Sequence, residues 1–160
     1  MLRLSLFALS LVWASATALV DFVVVRTVFQ EVGDFFTAGR TGLALFTKFN
    51  SLEFVLGSTL FALSVLLARR DARARGYVLI SFLCLAVAGL YLFSLTPKLA
   101  QLTATWEFAE QAGTVQVGGE DIQALHQTYH RLYIGLDTLK LALLSLQSTL
   151  LGISLSRAKR

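Results

Sequence analysis

The chain contains one cysteine and one proline. A lone cysteine excludes any disulfide within the chain. Cys84 sits in an apolar run and reads as a packing residue. A lone proline, Pro97, leaves helices free to run long. Charge is scarce as well. Only 15% of the residues are charged, where a soluble domain carries about 25%. The signatures of common chemistries are missing too. There is no GxSxG, phosphate-binding loop, Rossmann glycine pattern, CxxC or HExxH. Nothing therefore points to a catalytic residue or a cofactor. The arginine clusters flank apolar spans and are not interleaved with aromatics, which argues against nucleic acid as a partner.

What the chain does have is apolar length. Of its 160 residues 56% are hydrophobic, and they gather in runs near the roughly 20 residues that a membrane-spanning helix needs. The pattern predicts an all-α fold. It is an antiparallel bundle of four transmembrane helices, forming a single integral membrane domain over residues 1–160. The spans fall at about 4–25, 47–68, 77–95 and 135–155. Residues 1–16 also admit a rival reading as a cleaved signal peptide. Arg3 would then be its basic region and Ala14-Ser15-Ala16 its cleavage site. The apolar character that continues past this site favours a retained helix.

Helix ends follow from breakers and caps. No proline interrupts Arg26–Asp34, so the first helix is expected to continue to about Phe36 or Thr37. Ala38-Gly39-Arg40-Thr41-Gly42 would then be the turn. The second helix is expected from about Leu43 to Ala68, and the third from Gly76. Pro97 should kink the third helix or divide it. Gly113 to Gly119 reads as a loop with a small β-turn excursion. The fourth helix should open near Glu120 or Asp121, whose carboxylates suit a helix N-terminus, and run to about Ser156. Helices 1 and 4 should thus project beyond the outer face of the membrane.

Sidedness is read from the basic residues. Arg69, Arg70, Arg73 and Arg75 share one short loop, and such loops stay in the cytoplasm. With Arg3 and the tail Arg157, Lys159 and Arg160, that side holds eight of the 14 basic residues and one of the ten acids, Asp71. The expected location is a bacterial inner membrane, crossed several times, with both termini cytoplasmic. The bilayer is the expected partner. A homo-oligomer and a subunit role in a larger complex are both compatible.

Polar residues inside such spans are the candidate site, because charge in hydrocarbon is costly. His126, His130, Tyr133, Asp137 and Lys140 recur at steps of four, three, four and three, on one helix face. Counted from the cytoplasmic edge, Glu53 and Lys140 are each 15 residues in, roughly 22 Å deep. Asp21 and Asp137 lie roughly 25–27 Å deep, and Tyr91 is near the same level. Asp21, Glu53, Tyr91, Asp137 and Lys140 thus form a candidate buried layer in the outer third of the membrane. Arg26, Lys48, Asn50, His130 and Tyr133 form an upper polar group above it. The layer reads either as salt bridges that fix the helices against one another or as a site for a proton, ion or ligand. His126 and His130, four apart on a helix, are candidate metal ligands. The preferred reading makes them the cap of the polar stripe, meeting the headgroup zone or helix 2.

Four features carry a family likeness. Val28-Phe29 and Phe35-Phe36 follow the first span. Phe46, Phe49-Asn50, Glu53 and Gly57 follow Ala38-Gly39. Tyr91 and Thr96-Pro97-Lys98 end the third span, and Leu125-His126 opens the fourth. In these the chain resembles the bacterial domain-of-unknown-function family 4149, related to the transmembrane-protein-205-like group. The family usually has a proline in the first outer segment; Val28–Phe36 has none. The resemblance implies a small four-helix membrane protein and no particular reaction. The sequence thus points to a non-catalytic protein of structural or accessory role. Two alternatives stay open: a small transporter or proton- or ion-conducting protein, and a membrane metal-binding protein using His126 and His130.

Overall fold

Four long helices account for nearly all of the chain in the computed structural model, which describes residues 1–113, 116–117 and 120–157. They are α1 (Leu2–Glu31), α2 (Phe35–Arg70), α3 (Ala72–Gln111) and α4 (Ile122–Arg157). All four are long and apolar enough to cross a membrane. At 1.5 Å per residue they measure roughly 45–60 Å, well over the roughly 30 Å of hydrocarbon. Most of each apolar stretch faces outward: only 22–33% of it is buried inside the protein. Phe22 and Phe93 are 68% and 70% exposed. In water such a surface would aggregate; in lipid it is solvated.

The first turn lies elsewhere than the glycines suggest. α1 stops at Glu31, Val32 is extended, and α2 begins at Phe35. Asp34 caps it, accepting from the Thr37 backbone N–H at 2.7 Å. The expected turn at Ala38–Gly42 is helix instead. Gly39 and Gly42 face neighbouring elements: a Cβ on Gly42 would sit 3.7 Å from Phe29 and one on Gly39 4.0 Å from Thr103. An internal glycine costs up to about 1 kcal/mol of helix propensity, and here the cap next door outweighs it as a start signal.

Pro97 does not divide α3. Tyr91–Leu95, ending two positions before it, form a π turn, and α-helix resumes at Thr96. The wider turn removes the clash that a proline ring makes with the preceding turn's carbonyls. A second π turn, Val20–Val24, interrupts α1 around Asp21. π turns in α-helices gather at functional sites, and both of these carry a residue of the charged layer.

Gln116 pairs with Asp121 and Val117 with Glu120 in a short antiparallel ladder before α4. The rest of the expected excursion, Thr114, Val115, Gly118 and Gly119, lies outside the described residues, as do Lys159 and Arg160 of the basic tail. Asp121 Oδ1 accepts from the Ala124 N–H at 3.0 Å and caps α4.

Contacts between successive helices run in opposite residue order. Ser64 of α2 meets Ser81 of α3, and Asn50 meets Thr96. The lower core is apolar: Leu6, Trp13, Leu60, Cys84, Ala88, Leu144 and Leu151 are buried together. A neutral polar knot is set within it. Ser64 and Ser81 hydroxyls meet at 2.8 Å, Ser81 reaches Gln147 at 3.2 Å, and Gln147 Nε2 donates to Ser10 at 3.3 Å. Each helix supplies one member. At the end of the bundle Arg3 donates to Ser154 at 2.9 Å and to Asp71 at 2.5 Å.

Candidate functional site: a charged layer between the helices

Glu53 is the centre of the layer. On α2 the buried positions Asn50, Glu53, Gly57, Leu60, Ser64 and Leu67 follow the helical period. Gly57, one turn below Glu53, opens a slot. A Cβ there would lie 2.9 Å from the tip of the Trp13 ring and 3.3 Å from Leu85. Trp13 fills the slot and donates its indole N–H to Glu53 Oε1 at 2.9 Å. Thr17 donates to the same oxygen at 2.7 Å and Lys140 at 2.6 Å. Glu53 Oε2 is buried with no hydrogen-bond partner among the described residues. Glu53 and Lys140 are both fully buried. An ion pair so enclosed survives only because its donors replace water.

Lys140 also contacts Asp137 Oδ1, three residues back on α4. Its ammonium lies 5.0 Å from the centre of the Tyr91 ring, a cation–π contact. Tyr91 stacks on Tyr133, with centroids 4.2 Å apart and planes 14° from parallel. The Tyr91 hydroxyl donates to the Tyr133 carbonyl at 3.1 Å. Above them Tyr133 donates to Asn50 at 3.0 Å, and Asn50 to Thr96 at 2.7 Å. Four of the five expected layer residues and two of the upper group thus make one continuous network.

Asp21 stands apart. It is half-buried and lies beside Asp137, at the wall of a cavity of about 220 Å³ that Phe22, Phe46, His130 and Tyr133 also line. The layer therefore holds three carboxyls against one ammonium.

Arg26 and Lys48 do not join the upper group; both are exposed. Lys48 is five residues from Glu53 on regular α-helix, which turns it roughly 140° away from that acid. Asn50, three residues from Glu53, stays on the inner face. The histidines also land differently. His126 meets α3, with Nε2 3.2 Å from the Thr103 hydroxyl and its ring 5.3 Å from Trp106. His130 stacks on His126 at 6.3 Å. Among the described residues no three His, Cys, Asp or Glu stand together as a metal-ligand set. Both histidines instead border a cavity of about 90 Å³, walled by Phe29, Phe35, Phe36 and Trp106, at the end of the bundle opposite the arginine-rich loop.

Trp13 and Gln147 are the residues that sequence reasoning missed. Gln147 had a signal. It lies seven residues beyond Lys140, on the same face of α4, so the polar stripe continues inward. Trp13 had none beyond its amphipathic ring.

These features define an all-helical protein whose four helices suit a small integral membrane protein. No family model, curated protein or solved structure matches the chain.

Proposed function

We propose that this chain is a non-catalytic protein of a bacterial inner membrane, structural or accessory in role, with both ends in the cytoplasm. Membership of the domain-of-unknown-function family 4149, on the residues quoted above, is part of that proposal. One observation carries it: among the described residues the deep Glu53–Lys140 pair is fully buried and enclosed by the protein's own donors and rings. Glu53 takes three donors, Lys140 takes two carboxylates and a ring, and the apolar core lies below them. A layer built this way locks four helices against one another and offers no path to the inner end. The orientation is supported by the bundle end where Arg3 joins Asp71 of the arginine-rich loop to Ser154 near the close of α4. A reporter active only outside the cytoplasm, fused after Arg160, is expected to give no signal. Strong activity there overturns the orientation and revives a cleaved signal with three spans.

A second reading rests on Asp21. Its place beside Asp137 at the 220 Å³ cavity suits an outward-facing proton or ion site. Proteoliposomes loaded with a pH-sensitive dye test it. Flux that Asp21→Asn abolishes would replace the structural reading; no flux above empty vesicles keeps it.

A further inference from the structure

A groove runs between α2 and α3 at the end of the bundle that carries the arginine-rich loop. It is a shallow, open trough lined by Phe61, Val65, Val78, Leu79 and Phe82, with Arg69 and Arg75 at its rim. Phe61 and Phe82 form the floor, with ring centroids 6.0 Å apart. Leu79 and Phe82 are 61% and 51% exposed, and both arginines are exposed.

The charge at the rim is uncompensated among the described residues. Asp71 is the only acid between Arg69 and Arg75. It is turned away from the groove's arginines: it accepts from the Arg3 guanidinium and from the Arg73 backbone N–H. Neither Arg69 nor Arg75 forms an ion pair with any described carboxylate. Two guanidiniums from adjacent helices thus stand over an apolar trough that opens sideways toward lipid. A guanidinium binds phosphate oxygens through paired N–H donors. Basic pockets between membrane helices are known to take anionic lipid headgroups.

We propose that this groove binds one anionic phospholipid, its phosphate held by Arg69 and Arg75 and its acyl chains lying on Phe61, Val65, Val78 and Phe82. The site rests on the membrane reading above but not on orientation, since lipid headgroups border both faces. The groove between α1 and α4 is an internal control. It is lined by Phe7, Leu11, Ser148, Thr149 and Ile153 and has a single arginine, Arg157.

Native mass spectrometry of the full chain in a neutral detergent tests the site, with palmitoyl-oleoyl phosphatidylglycerol and the matching phosphatidylcholine as probes. Phosphatidylglycerol should be retained about thirtyfold more tightly, since each arginine near a headgroup contributes about fivefold. Arg69→Gln and Arg75→Gln should each lose about fivefold and the double variant should treat both lipids alike, while Arg157→Gln should leave the preference intact. Glycerol 3-phosphate, the headgroup without chains, should not compete at equal concentration. Equal retention of the two lipids by the natural chain overturns the proposal. So does an equal loss with Arg157→Gln, which would mean unspecific charge attraction, and so does competition by glycerol 3-phosphate, which would mean a free-phosphate site. Alkaline carbonate extraction separates the two failures: a protein released by carbonate fails the membrane reading itself, and one that stays in the membrane without lipid preference fails only this site.

Discussion

Glu53 and Asp21 enter the bundle at nearly the same depth, and the fold treats them in opposite ways. Glu53 is fully buried and takes the indole of Trp13, the hydroxyl of Thr17 and the ammonium of Lys140 on one oxygen. Asp21 is half-buried, faces a cavity and has another acid, Asp137, for its neighbour. Depth alone makes two acids equal; donors make them different. A carboxylate surrounded by donors is a structural fastener, whereas one beside a second carboxylate is strained when both are ionised. The layer is thus two regions, an enclosed one around Glu53 that draws on all four helices and a more open one around Asp21.

The comparison breaks most readily at Lys140. Lys140→Met leaves Glu53 and Asp137 without their counter-ion and should destabilise the protein by roughly 3–5 kcal/mol. Adding Glu53→Gln should recover part of that loss. Thermal unfolding in detergent of both single variants and the double reads this, and strictly additive losses would mean that the pair does not interact.

A smaller effect is expected at Gly57. Gly57→Ala drives a methyl to 2.9 Å from Trp13 and displaces the indole from Glu53. Overpacking of this kind costs about 1–3 kcal/mol. The same unfolding measurement checks it, and an unchanged midpoint would show that Trp13 has room to move.

The open side should respond least. Asp21→Asn replaces the acid beside Asp137 with a neutral amide that can still hydrogen-bond to it, and is expected to shift stability by no more than about 0.5 kcal/mol in either direction. A loss as large as that of Glu53→Gln would erase the distinction between the two acids.

The faintest effect lies outside the layer, at Asp71. The Arg73 amide and the Arg3 guanidinium hold its carboxyl below the usual carboxylate range. A depressed carboxylate stabilises the fold above its unfolded pKa of about 3.9, and that contribution fades as pH falls through the lower folded value. The melting difference between the natural chain and Asp71→Asn should be full at pH 7 and shrink as pH falls below about 4. A difference that grows in acid would contradict the clasp.

How much of this was legible beforehand depends on what each signal measures. Apolar length located four helices, and counting residues from the basic loop brought Glu53, Asp137 and Lys140 to one level. Counting gives depth and not direction, so Arg26 and Lys48, both exposed, were grouped with buried residues. The first turn was misplaced because Gly39 and Gly42 resemble stop signals, while the true start is an aspartate cap at Asp34. The π turn at Val20–Val24 has no local signature; the one at Tyr91–Leu95 is announced only by Pro97. The Ser10–Ser64–Ser81–Gln147 knot stayed hidden because serines in apolar runs ordinarily bond to their own helix, as Ser10 also does with the Leu6 carbonyl at 2.8 Å.

The spacing of Glu53 and its partners along the chain also sets a schedule. Lys140 follows Glu53 by 87 residues. A ribosome adding about 5–20 residues per second leaves the glutamate without its lysine for roughly 4–17 seconds. Trp13 and Thr17 precede it by 40 and 36 residues, so both neutral donors are made before the acid is. During synthesis the first helix is the escort that an acidic second helix meets on entering lipid, and the lysine arrives only with the last.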